Sequence, residues 1–172
     1  LPDDVTANIR QWLIQGELLK TLSHELGHMA DEQALVNIFE NSKQEWSEPN
    51  LMASDIAIRL QNIRYDSLIV DSERLETARK NLNEMFGPGA DKYLLKLKDG
   101  SYHIDPGELV AEICRLEAMA SITDTPLPAE LSDLLAEYRG LVKQYADGII
   151  TSSELNGQLA NLFENFLAKL QW

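Results

Sequence analysis

The chain contains one cysteine, Cys114, and only 3 histidines among 172 residues. A single thiol cannot close an internal disulfide, so no disulfide framework is available to this fold. Cys114 sits beside Ile113 and near Leu116 in an apolar helical pattern. That setting reads as a buried thiol in a reducing, cytoplasmic compartment, with a reactive nucleophile as the other reading. Long apolar runs are also lacking: no stretch approaches the roughly 20 residues of a membrane span, so no membrane role is expected. Basic residues are scarce, with Lys+Arg 15 against Asp+Glu 28 and a formal charge of −13. Such a surface repels phosphate backbones, which disfavours nucleic-acid binding by this segment. Repeats and low-complexity tracts are absent. The chain opens on Leu1 without a signal-like segment, and the expectation is a piece of a longer protein with further domains. What remains, 44% hydrophobic and 25% charged residues, is the composition of an ordinary globular protein with one core.

Two of the three histidines fall in His24-Glu25-Leu26-Gly27-His28, an H-E-x-x-H pattern inside a helical run. Imidazoles four residues apart share one helical face and can ligate one metal ion, while the glutamate between them can activate a water at that metal. The pattern also fits a solvated His/Glu face on a surface helix. The apolar or small neighbours Leu22, Leu26, Gly27, Met29 and Ala30 point instead to a helix packed tightly inside a domain.

Asp3 and Asp4 suit a helix start, with Pro2 near the first helical position. Val5, Ile9, Trp12 and Leu13 repeat at helical spacing, Gly16 is a candidate interruption, and Leu18, Leu19, Leu22, Leu26, Met29, Leu35, Val36, Phe39 and Trp46 carry the pattern on. This predicts one very long active helix, broken at Ser47-Glu48-Pro49-Asn50. Further helices are expected over 51–65 and over 71–86, the second ended by Gly87-Pro88-Gly89. Residues 93–98 read as a short strand or a helical turn, followed by a turn at Asp99-Gly100.

A second informative stretch starts at Ser101. Asp105 is a good N-cap, Pro106 a good first helical residue, and Glu108 and Glu112 share the face of the helix that follows. Read alone, Asp105 to Glu108 is a capping box and Glu112 a solvated carboxylate. Read with His24 and His28, Glu108 is a third metal ligand and Glu112 a carboxylate that orients a ligating imidazole through its other nitrogen. Glu48 and His103 are the other candidates for the third ligand.

These stretches, with Asp31 three residues after His28 and Tyr102 ahead of Pro106, resemble the zincin-like metallopeptidase domains of phage and conjugative-plasmid polyvalent proteins. The anti-restriction metallopeptidases of plasmids and, distantly, anthrax lethal factor share the pattern. The resemblance spans roughly residues 21 to 120. It implies that His24, His28 and Glu108 bind Zn(II), that Glu25 is the general base, that Glu112 and Asp31 are supporting carboxylates, and that Tyr102 is a hydrogen-bond donor in the transition state. It further implies a protein or peptide substrate and a role in conflict between mobile elements and hosts, including delivery into another cell. Zincins place a substrate-binding sheet ahead of the active helix, whereas only about twenty helical-looking residues precede His24 here.

After Ser121, Thr123 to Pro128 reads as a linker. Two amphipathic helices follow, marked by Leu131, Leu134, Leu135, Tyr138 and Leu141, then by Leu155, Leu159, Leu162, Phe163, Phe166 and Leu170 behind a Thr151/Glu154 capping box. The expected fold is mainly α with little or no β-sheet: a core over 1–122 and a C-terminal helical hairpin over 123–172. Two functions fit, a zinc metallopeptidase and a non-catalytic helical interaction module.

Overall fold

The computed structural model describes residues 3–65 and 68–169, without the side chains of residues 5, 9 and 12–21. The expectations for Pro2, for Leu170 and for the side chains of Val5, Ile9, Trp12, Leu13, Leu18 and Leu19 lie outside the described residues. The chain is mainly helical. Its helices are α1 (Asp3–Glu40), α2 (Pro49–Gln61), α3 (Leu75–Phe86), α4 (Pro106–Thr123), α5 (Ala129–Ala146) and α6 (Ser152–Lys169), with a 3-10 turn at Ala90–Tyr93. A small antiparallel sheet of β1 (Ile69–Val70), β2 (Leu94–Lys96) and β3 (Tyr102–Ile104) has the order β1-β3-β2. None of the described helices is long and apolar enough to cross a membrane.

Helix α1 runs through Gly16 unbroken but stops at Glu40, short of Trp46. Side chains compete with the helical ladder there: the Asn41 amide donates to the Asn37 carbonyl at 2.9 Å and the Ser42 hydroxyl to the Phe39 carbonyl at 2.8 Å. Trp46 instead packs edge-on against Phe39 and donates its indole N–H to the Ala146 carbonyl at 3.1 Å. Helix α2 begins at Pro49, as a residue lacking its N–H prefers, and ends before Tyr65. Gly87, at φ 96°, closes α3. Asp105 caps α4 by accepting from the Gly107 N–H at 2.8 Å, and Thr151 and Glu154 exchange reciprocal bonds of 3.1 and 2.7 Å at the start of α6.

Packing follows from these faces. Helix α4, buried along Leu109, Val110, Ile113 and Cys114, is the main partner of α1, which also meets α2 and α5. Helices α5 and α6 pair through Leu134, Tyr138, Leu155, Leu159 and Phe163, and their apolar residues join one continuous cluster with Leu35, Phe39, Ile56 and Leu82.

One expectation about α1 is corrected. The helix is not enclosed around its motif: Leu22, Leu26 and Met29 are 56%, 61% and 63% exposed, while His24 and Gly27 face inward. A helix lying on a core buries one stripe, and here the stripe carrying the histidines is the buried one.

Candidate metal centre

The close approach of α1 and α4 builds the site. A Cβ on Gly27 would overlap the Ala111 carbonyl oxygen and stand 3.2 Å from the Arg115 Cβ, so only glycine permits this crossing. The crossing brings the turn holding His24 and His28 against the first two turns of α4.

There three donor atoms converge. His24 Nε2 lies 2.6 Å from Glu108 Oε2 and 3.1 Å from His28 Nε2, and His28 Nε2 lies 3.4 Å from the same Glu108 oxygen. The other nitrogen of His24 explains why they point inward. Glu112 Oε1 accepts from His24 Nδ1–H at 2.7 Å and from the Tyr93 hydroxyl at 2.9 Å, while Arg115 clamps the second oxygen of Glu112 at 2.9 Å. An ionised carboxylate only accepts, so a hydrogen sits on Nδ1, and the 2.6 Å approach of the Glu108 carboxylate calls for a second cation at Nε2, either a proton or a metal ion in its place. The pocket therefore aims two imidazole nitrogens and a carboxylate oxygen at one another. Such a set needs protons or a cation between its atoms, and the three donors, all within 4.8 Å of one another, form a group that could hold a metal ion.

The hydrogen bond between His28 and Glu108 raises the His28 pKa and lowers that of Glu108. Burial alone would push Glu112 upward, but its bonds to Arg115, His24 and Tyr93 hold it below the usual carboxylate value. Burial drives the Tyr93 hydroxyl well above its ordinary range. Tyr93 also stacks on His24, with ring centroids 5.1 Å apart.

The group opens onto a groove of about 450 Å³, where Glu25, Lys92, Leu95 and Asp105 join the three donors. Glu25 is exposed and Glu108 partly buried, so the donors are reachable from solvent along this groove.

Other residues singled out by sequence lie elsewhere. Glu108 turns to the histidines and not back onto the Asp105 amide. Tyr102 is not among the groove's lining residues; it is half-buried against the core on β3. Asp31 faces α5, where Tyr138 donates to it at 3.5 Å and burial pushes its pKa up to about 6. His103 is buried at 2% exposure and accepts from Arg64 at 3.0 Å through Nε2. Burial and the Arg64 charge lower its pKa to about 4. Glu48 is exposed, one residue ahead of α2. Neither His103 nor Glu48 belongs to the donor group. Cys114 is buried, and burial pushes its thiol up to about 12, so it is no ready nucleophile.

Sequence reasoning missed Tyr93 and Arg115. Arg115 stands at the i,i+3 spacing of a helical ion pair with Glu112, a readable signal. Tyr93 had none, being 69 residues from His24 in the chain. Comparison with protein-family models, with curated proteins and with solved structures finds no match.

Proposed function

We propose that this protein is a zinc-dependent metallopeptidase that hydrolyses peptide bonds of a protein substrate, akin to the zincin-like domains its motifs resemble. The observation that carries this reading is the convergence of His24 Nε2, His28 Nε2 and Glu108 Oε2, with the ring of His24 held at Nδ1 by Glu112. His24, His28 and Glu108 would hold the ion, and Glu112, braced by Tyr93 and Arg115, fixes the ring of His24. Zinc bound there supplies a Lewis acid that acidifies water and polarises the scissile carbonyl. Glu25, free and exposed at the groove, takes the proton of the attacking water and returns it to the leaving amine. The edge strand β2 contributes Leu95 to the same groove, so its outer main-chain groups are available to pair with an extended peptide.

The test is cleavage of an unfolded protein by the zinc-loaded chain and by Glu25→Gln. The reading expects Glu25→Gln to retain zinc and lose roughly 10²- to 10⁴-fold in rate. Equal rates, or no cleavage by the loaded wild type, would remove the enzyme assignment. One observation favours the alternative of a non-catalytic helical interaction module: the exposed stripe Leu22, Leu26 and Met29 on α1.

A further inference from the structure

Beside the metal groove lies a second cleft of about 340 Å³, lined by Ser23, the Gly87-Pro88-Gly89 turn, Lys92, Tyr93, Glu112 and Arg115. The two spaces share Lys92 and Tyr93 as walls. Its lining carries two cations and one acid. Lys92 is exposed, its ammonium stands 5.3 Å from the centre of the Tyr93 ring, and no carboxylate among the described residues pairs with it. Arg115 is the other cation, and the one acid on this wall, Glu112, is already engaged by Arg115, His24 and Tyr93. The lining of the cleft itself therefore carries a net positive charge on a chain whose formal charge is −13, while on its other side Lys92 borders the groove that holds Glu25, Asp105 and Glu108.

We infer that this cleft accepts a carboxylate of the bound peptide, placed by Lys92 beside the bond held in the metal groove. That the bound peptide is a substrate rests on the metallopeptidase reading; its binding does not. An acidic chain repels acidic peptides at long range, so a cation left unpaired at the rim selects for them only at close quarters. The carboxylate has two possible sources, an aspartate or glutamate side chain and the peptide's own C-terminus. Lys92 acts as a specificity residue and takes no part in bond breaking.

The experiment uses zinc-loaded Glu25→Gln protein and three peptide sets, randomised apart from one feature: an internal glutamate with an amidated C-terminus, a glutamine in its place with the same amide, and that glutamine set with a free C-terminal carboxylate. Fluorescence anisotropy should show one carboxylate set binding about 10-fold more tightly than the glutamine amide, the size of one charge-assisted contact. Which set it is identifies the source. Lys92→Met should erase the advantage, Lys92→Arg should keep it, and added salt should shrink it. Equal or absent binding of all three, or an advantage that survives Lys92→Met, overturns the inference. Parallel cleavage assays separate the two ideas. Wild-type protein that cuts all sets alike leaves the peptidase and removes the subsite, whereas carboxylate-selective binding without cleavage does the reverse.

Discussion

Replacing Gly27 by alanine tests the architecture of the site through a sign. In an open helix interior the change stabilises by up to about 1 kcal/mol, since glycine is the poorer helix former. At Gly27 the new methyl would meet the Ala111 carbonyl, a backbone group of α4 that cannot rotate aside, as well as the Ala111 carbonyl carbon at 3.0 Å. Helices α1 and α4 must then separate, and overpacking of this kind costs roughly 1–3 kcal/mol. The expected net effect is a loss of about 1–2 kcal/mol, or a few degrees in Tm for a chain of this size. The same separation acts on His24–Glu108 at 2.6 Å and His24–Glu112 at 2.7 Å, because both span the two helices. Zinc affinity, measured by competition with a chromogenic chelator, should fall roughly 10- to 100-fold. Gly140→Ala in α5 and Gly157→Ala in α6 are the controls, since nothing lies within 4 Å of either Cβ; both should melt slightly higher. A Gly27→Ala protein that melts higher with unchanged zinc affinity would refute the reasoning.

Three further outcomes are expected. Glu112→Gln should weaken zinc binding roughly 10- to 100-fold while leaving all three donors in place, because it removes the charge that holds His24 and Arg115 and leaves one oxygen to accept where two did; chelator competition reads it. His103 is buried neutral, with its folded pKa lowered from 6.5 to about 4, so the stability it contributes is complete above pH 6.5 and is lost as pH falls through 4; denaturant midpoints should drop over that window, with a total of roughly 3 kcal/mol, and His103→Gln should flatten the drop. Thr151→Ala should cost about 1 kcal/mol by removing the hydroxyl that caps the Glu154 N–H, without any change in zinc content.

The helices were legible wherever their signals are local. Pro49, Asp105-Pro106 and Thr151 with Glu154 mark starts because the capping chemistry lies within a few residues. Of the sheet only β2 was offered, as the strand alternative over 93–98; β1 and β3 exist only by pairing Ile69 with His103 and Val70 with Tyr102, a contact between distant segments that two-residue periodicity cannot reveal. The spacing of His24 and His28 was plain, yet whether Glu108 caps its helix or faces the histidines depends on how α1 crosses α4. That crossing is decided at Gly27 against Ala111. Periodicity also left open which stripe of α1 is buried, and the small and apolar residues around the motif suggested enclosure where Leu22, Leu26 and Met29 meet solvent. The tyrosine at the centre could not be chosen from sequence, since Tyr93 reaches His24 only through the 3-10 turn that ends on it.

The most direct test of the account is the zinc content of the purified chain, by elemental analysis of the wild type and of Glu108→Ala, with circular dichroism to show that both are folded. About one zinc per wild-type chain, largely lost from a folded Glu108→Ala protein, is the predicted result. A folded wild type that takes up no zinc on reconstitution, or a Glu108→Ala protein that holds it as tightly, would contradict the three-donor centre.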